Sequence, residues 1–312
     1  MAIDTLSPKP EPVIADPSRR NPARWLVVAI PYFWLLLFFA APFFIIAKIS
    51  LSDTAIAMPP YTPTFQGFDK FGEFFSQLDF ENYEFLASDS LYIKSYLNSL
   101  RIAAISTFLL LLVGYPMALA MARAKSGIRP ILVMMVILPF WTSFLIRVYA
   151  WIGILKPEGL LTLLLQTVGL LGEGEQVQIF RTDYAVFIGI VYSYLPFMVL
   201  PLYAALEKMD HTLLEAASDL GCPPWKAFWR ITFPLSLPGV IAGSLICFIP
   251  ITGEFVIPDL LGGADTLMIG KTLWTEFFSS RDWPLASSIA VILLAVLVIP
   301  IVWFQNQQQK AG

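Results

Sequence analysis

Three ionisable side chains stand inside long apolar runs of this sequence: Arg147, Glu254 and Asp259. A charge is costly in hydrocarbon, so such residues face a cavity or a partner. Glu254, with or without Asp259, has the chemistry to attract a cation. Arg147 has the chemistry to neutralise Glu254. Trp141, Tyr192 and Phe255 lie in the same stretches. Their ring faces can add cation–π attraction of about 0.5–2 kcal/mol each, although aromatic rings also simply fill cores.

A second set of residues is too polar for lipid and has helix grammar. Thr212 followed by Glu215 is a capping-box pattern. Ala216 and Ala217 favour helix, and Asp219 and Leu220 complete the same segment. Gly221 suits the left-handed residue that closes a helix. Pro223 and Pro224 stop it, and Pro224 can open a second short helix through Trp225, Phe228 and Trp229. Pro234 marks the entry to the next apolar run. The small residues Ala216, Ala217 and Gly221 permit close backbone contact with a partner.

The elements that position both sets are membrane helices. The chain has 312 residues, of which 57% are hydrophobic and 14% charged, with a mean hydropathy of +0.70; soluble domains are about 25% charged. Six runs reach the length of about 20 residues needed to cross a bilayer: 25–49, 99–122, 131–155, 184–206, 237–261 and 284–304. They are read as helices, because an open sheet leaves backbone groups unsatisfied in lipid. Residues 1–24 read as a disordered cytosolic tail rather than a removable signal peptide. Residues 25–306 read as a transmembrane domain and 307–312 as a cytosolic C-terminal tail.

Basic residues set the orientation. The short turn holding Arg123, Lys125 and Arg129 has no acid, which places it, both termini and the loop 207–235 in the cytosol. The segment 50–98 then lies outside. Its acids (Asp69, Glu73, Asp79, Glu81) alternate with aromatic residues, as either a self-covering cap or a docking surface. Counted along straight helices, Arg147 and Glu254 both rise about 25 Å from the inner face, which predicts that they meet across the bundle. Cys222 and Cys247 have no metal-like spacing and read as unpaired thiols. The lone histidine, His211, reads as a helix-flanking polar residue.

Glu215-Ala216-Ala217, Gly221 and the Ile231-x-x-Pro234 ending resemble the EAA loop of ABC-importer permeases; Phe233 stands where that family usually has leucine. The stretches 138–151, 194–201, 253–263 and 281–284 are similar to the first permease subunit of bacterial polyamine importers, and residues 253–258 look closer to the putrescine type. The resemblance implies an all-α polytopic membrane protein with six transmembrane helices and the type I ABC importer permease (MetI-like) fold, in the bacterial inner membrane. It implies that this chain forms half of a translocation path with a second homologous permease. Two ATPase subunits would dock on Glu215, Ala216, Ala217, Asp219, Leu220, Gly221 and Pro224, and a periplasmic polyamine-binding protein would deliver solute.

No Walker-type Gly-x-x-x-x-Gly-Lys-Ser/Thr loop occurs in the chain, so ATP and Mg belong to the partner ATPase. No cofactor, metal or nucleic acid is expected on this chain, and it is not expected to be an enzyme. The alternatives are an ABC permease for spermidine, sulfate, iron, thiamine or sugars, or an ion-coupled secondary transporter.

Overall fold

The computed structural model describes residues 22–64, 78–172, 174–210 and 212–311. His211, the aromatic and acidic stretch 65–77 (with Asp69 and Glu73) and most of the N-terminal tail fall outside the described residues.

The apolar runs are helical. α1 (Pro22–Leu35) continues through a π turn (Leu36–Ala40) into α2 (Ala41–Ile49). After a two-stranded hairpin, β1 (Asp53–Thr54) with β2 (Tyr61–Thr62), come α3 (Glu81–Ser88) and α4 (Ser90–Arg123). α5 (Arg129–Ile137) and a 3-10 turn (Leu138–Trp141) lead to α6 (Phe144–Leu155) and α7 (Leu160–Thr167). α8 is Asp183–Glu207, α9 Thr212–Asp219 and α10 Pro224–Ala227. A π turn (Phe228–Thr232) runs into α11 (Phe233–Thr252), followed by α12 (Val256–Leu261). α13 (Ile269–Trp274), a third π turn (Thr275–Ser280) and α14 (Trp283–Ala311) complete the chain.

By length and composition, four helices among the described residues can cross a membrane: 27–49, α4, α8 and 224–252. Two of the expected spans take a different form. The third is broken by 87° between Trp141 and Phe144. Pro139 sits in the 3-10 turn, and Thr142 and Ser143 adopt extended backbone, so the helix cannot continue straight. The fifth ends at Thr252, and Val256–Leu261 is a separate short helix. The last helix, α14, runs unbroken through the expected sixth run, 284–304.

The core is the mutual packing of α4, α8 and α11. Ile102, Leu110, Ile190, Met198, Leu202 and Ile251 are fully buried in it. Cys247 is buried there too, and both cysteines are free thiols. α8 and α11 approach at a glycine. A Cβ placed on Gly239 would stand 2.6 Å from Ala205 Cβ and 2.9 Å from the Pro201 carbonyl oxygen. Small residues allow this contact, and in lipid van der Waals packing of this kind is what holds helices together.

The described part of the 50–98 segment is folded onto the start of α14. Thr54 Oγ1 donates to Asp282 at 2.7 Å, Ser288 Oγ donates to the Ser50 carbonyl at 2.9 Å, and Asn82 Nδ2 donates to the Ser52 carbonyl at 2.9 Å. Tyr96 OH donates to the Ile289 carbonyl at 2.6 Å. These polar bonds fix the cap, while its aromatic residues Phe80 and Phe85 stay exposed.

An alanine in a helix normally gains about 1 kcal/mol over glycine, but here overpacking costs about 1–3 kcal/mol. Gly239→Ala should therefore lower the thermal midpoint of the detergent-solubilised protein. Gly153→Ala, where no atom lies within 4 Å of the added Cβ, should leave it unchanged or raise it. Equal midpoints for the two variants would show that the Gly239 contact does not limit packing.

Candidate functional site: an exposed helical loop and a buried carboxylate

The loop begins where α8 ends. Glu207 accepts a hydrogen bond from Tyr203 OH at 2.7 Å and pairs with Arg129 at 3.5 Å, which fixes the exit of the helix. The cap of α9 differs from the expected box. The amide of Thr212 is taken by Asp210 Oδ1 at 2.9 Å, and no Thr212–Glu215 side-chain bond forms. Asparagine and aspartate accept from a backbone amide two residues on, and Asp210 is placed for that while Thr212 already lies inside the helix.

The other end is as expected. Gly221 has φ +71°, its amide bonds the Ser218 carbonyl at 2.9 Å, and the Cys222 amide bonds the Ala217 carbonyl at 2.9 Å. This pair of bonds is a Schellman closure. Pro224 then opens α10.

Glu215, Ala216, Asp219, Gly221 and Pro224 are exposed and Ala217 is half-buried. Leu220 is 88% exposed and Trp225 70%. A bare leucine and a bare tryptophan on one short loop are apolar surface of the kind a partner covers. Behind them the rings are continuous. Trp225 stacks on Phe228 with centroids 6.3 Å apart, and Phe228 meets Tyr115 of α4 edge-on at 5.6 Å. Tyr115 in turn bonds Ser236 of α11 at 2.8 Å. The loop is thus attached to two core helices at once. The π turn at Phe228–Thr232 lies in the middle of this linkage, and π turns recur at functional positions.

The intramembrane charges are arranged differently from expectation. Arg147 and Glu254 are each 8% exposed, but they form no ion pair. The depth count assumed straight helices. The break before α6 turns Arg147 away, and Glu254 lies past the end of α11 rather than within it. Glu254 Oε2 accepts from Tyr194 OH at 2.6 Å, and Oε1 accepts the amides of Val256 and Ile257 at 3.0 and 3.4 Å. The carboxylate therefore caps α12. Arg147 lies over the rings of Phe140 and Phe144, 5.1 and 5.8 Å from their centroids.

The remaining candidates do not converge. Asp259 is exposed and pairs with Lys271 at 3.4 Å. Phe255 stacks on Trp274 at 4.5 Å. Trp141, 77% exposed, borders a cavity of about 510 Å³ with Arg129, Tyr203 and Glu207. Tyr192 packs edge-on against Trp151 and borders a separate apolar cavity of about 450 Å³. Tyr194 bonds Glu254, and Ser193, which sequence reasoning left out of the site, lines a cavity with Arg147. The signal for Ser193 was a polar pair inside an otherwise apolar helix, just before Pro196.

A broken third span, a closely packed three-helix core and an exposed two-helix loop are the setting of the site, and the sequence family gives the class, a type I ABC importer permease. Residues 110–311 match the family described as binding-protein-dependent transport system inner membrane component, and the chain belongs to that family. It is a multi-pass inner-membrane transport subunit, not an enzyme.

Among its relatives is the spermidine/putrescine transport system permease protein PotB of Haemophilus influenzae, 38% identical over 281 residues, covering 89% of this chain and 92% of that protein. PotB of Escherichia coli is 42% identical over 217 residues, covering 69% and 78%. In fold, the chain is similar to a bacterial ABC transporter involved in the import of alginate, with a TM-score of 0.65 at 18% identity over 93% of this chain and 96% of that one.

Tyr194→Phe removes one hydroxyl and leaves Glu254 its two amides. Losing a donor to a buried carboxylate costs about 1–3 kcal/mol, so the thermal midpoint should fall. Tyr192→Phe, whose hydroxyl makes no hydrogen bond among the described residues, should be neutral. A neutral Tyr194→Phe would show that the bond does not hold the α11–α12 junction.

Proposed function

We propose that this chain forms half of the translocation path of an ATP-driven polyamine importer and is worked through the loop 207–235. The observation that carries the coupling role is the exposed Leu220–Trp225 surface joined by stacked rings to α4 and α11. In this reading two cytosolic ATPases grip the loop and a second permease encloses the path. A periplasmic binding protein delivers the amine, as in the alginate system, whose transporter has been seen with its solute-bound periplasmic protein. ATP closes the ATPases, the loop moves with them, and the path changes the side to which it opens. Each ligand drives this only by favouring one state over the other.

The polyamine class draws on relatives at 38–42% identity named for spermidine and putrescine. Those names do not separate the two amines. Within the class, the Gly253–Pro258 stretch is our reason for favouring putrescine. Glu254 supplies negative charge beside the path and Phe255, stacked on Trp274, a ring face. Asp259, tied to Lys271 on the surface, contributes less, and Trp141 and Tyr192, on separate cavities, act at other levels of the path.

Gly221→Asp tests the coupling role. Aspartate tolerates the left-handed backbone better than most residues, so the loop should still fold, but a charge and a side chain now stand in the contact. Membrane insertion should be normal, while ATPase co-purification and labelled-amine uptake fall at least tenfold. Normal co-purification and normal uptake would sink the role. Uptake by the assembled complex, with putrescine and spermidine in competition, decides the substrate; spermidine outcompeting putrescine would overturn the preference.

A further inference from the structure

The broken third span leaves a largely buried cation with two of its three guanidinium nitrogens unpartnered among the described residues. Arg147 lies in the first turn of α6 and is 8% exposed. Its Nε and Nη1 have no hydrogen-bond partner among the described residues, and the rings of Phe140 and Phe144 lie against the guanidinium. The N-terminal end of a helix is itself positive, so the position is doubly unfavourable for a bare cation. Glu254 is engaged elsewhere, by Tyr194 and two amides.

Arg147 borders a cavity of about 310 Å³. Ser193 lines the same cavity, and its Oγ is likewise buried and unpartnered among the described residues. A water occupies about 30 Å³, so there is room for a small ion and several waters. The other walls include Phe140, Phe144 and Phe197.

We propose that this cavity is an anion site, which takes a small monovalent anion such as chloride or formate between the Arg147 guanidinium and the Ser193 hydroxyl. Both groups can donate, and a guanidinium is suited to halide and carboxylate alike. A cation is repelled by Arg147. The same chemistry could come from a carboxylate side chain of the companion permease, and the test separates the two sources. For a cationic solute, a bound anion cancels the repulsion that Arg147 exerts on the path. That consequence rests on the polyamine reading above; anion binding itself does not.

Chloride NMR line broadening on the assembled, detergent-solubilised importer provides the test. The wild-type complex should show saturable excess linewidth that formate displaces. Arg147→Gln should abolish it. Ser193→Ala should weaken chloride binding about fivefold, the loss of one neutral hydrogen bond. No saturable broadening in the wild type, or equal broadening in Arg147→Gln, overturns the site. Absent broadening together with loss of the companion permease from Arg147→Gln on size exclusion assigns the acceptor to a protein carboxylate and overturns the free ion. If Arg147→Gln does not assemble, Ser193→Ala decides, and unchanged chloride affinity overturns the proposal. Failure of amine uptake would remove the polyamine reading and leave the linewidth result standing.

Discussion

Hydrocarbon cannot answer an open backbone amide, so a break in a membrane helix must be closed from within the protein. This constraint governs the centre of the molecule. α11 stops at Thr252, and the amides that start α12 have no preceding turn to bond. Glu254 takes two of them with one carboxylate oxygen and receives the Tyr194 hydroxyl on the other. A residue that first reads as a lure for cations is therefore also a cap. Its charge is balanced by two dipolar amides and a hydroxyl rather than by Arg147. Such a carboxylate keeps its place whether or not a solute passes beside it.

The same economy appears at the loop. Its first helix is closed at both ends by local bonds, Asp210 at the start and Gly221 at the finish. Its second helix is held by rings instead. Trp225, Phe228, Trp229 and Phe233 are in mutual contact, and Tyr115 joins them to α4. Locally closed, the first helix can move as a unit. Ring-packed, the second is joined to two core helices, which is what the proposed coupling requires. Stacked rings transmit displacement well because a packed interior resists compression.

What the sequence made legible is what depends on local chemistry. Gly221, Pro224 and the small residues of α9 announced a helix–turn–helix, and they form one. The apolar runs announced spans. Two features were not legible, and both arise from tertiary context. Whether Thr212 or Asp210 holds the first amides depends on where the helix begins, which shifts by a residue or two without changing the pattern. The depths of Arg147 and Glu254 depend on straight helices, and neither helix is straight there. Pro139 warned of the first break. No proline follows Thr252 closely enough to warn of the second, where Gly253 and the Glu254 cap end the helix. The bond between Tyr194 and Glu254 became visible only in the folded chain.

α4 spans 34 residues, about 51 Å of helix at 1.5 Å per residue, against about 30 Å of hydrocarbon. Tyr96 near its beginning is bonded to α14 beneath the cap, and Tyr115 farther along is packed into the ring cluster of the loop. One uninterrupted rod thus runs from the cap to the loop, the two ends that the proposed partners would engage. Under the proposed coupling, a partner that tilts the rod at one end biases binding at the other, and by linkage the bias has equal strength in both directions.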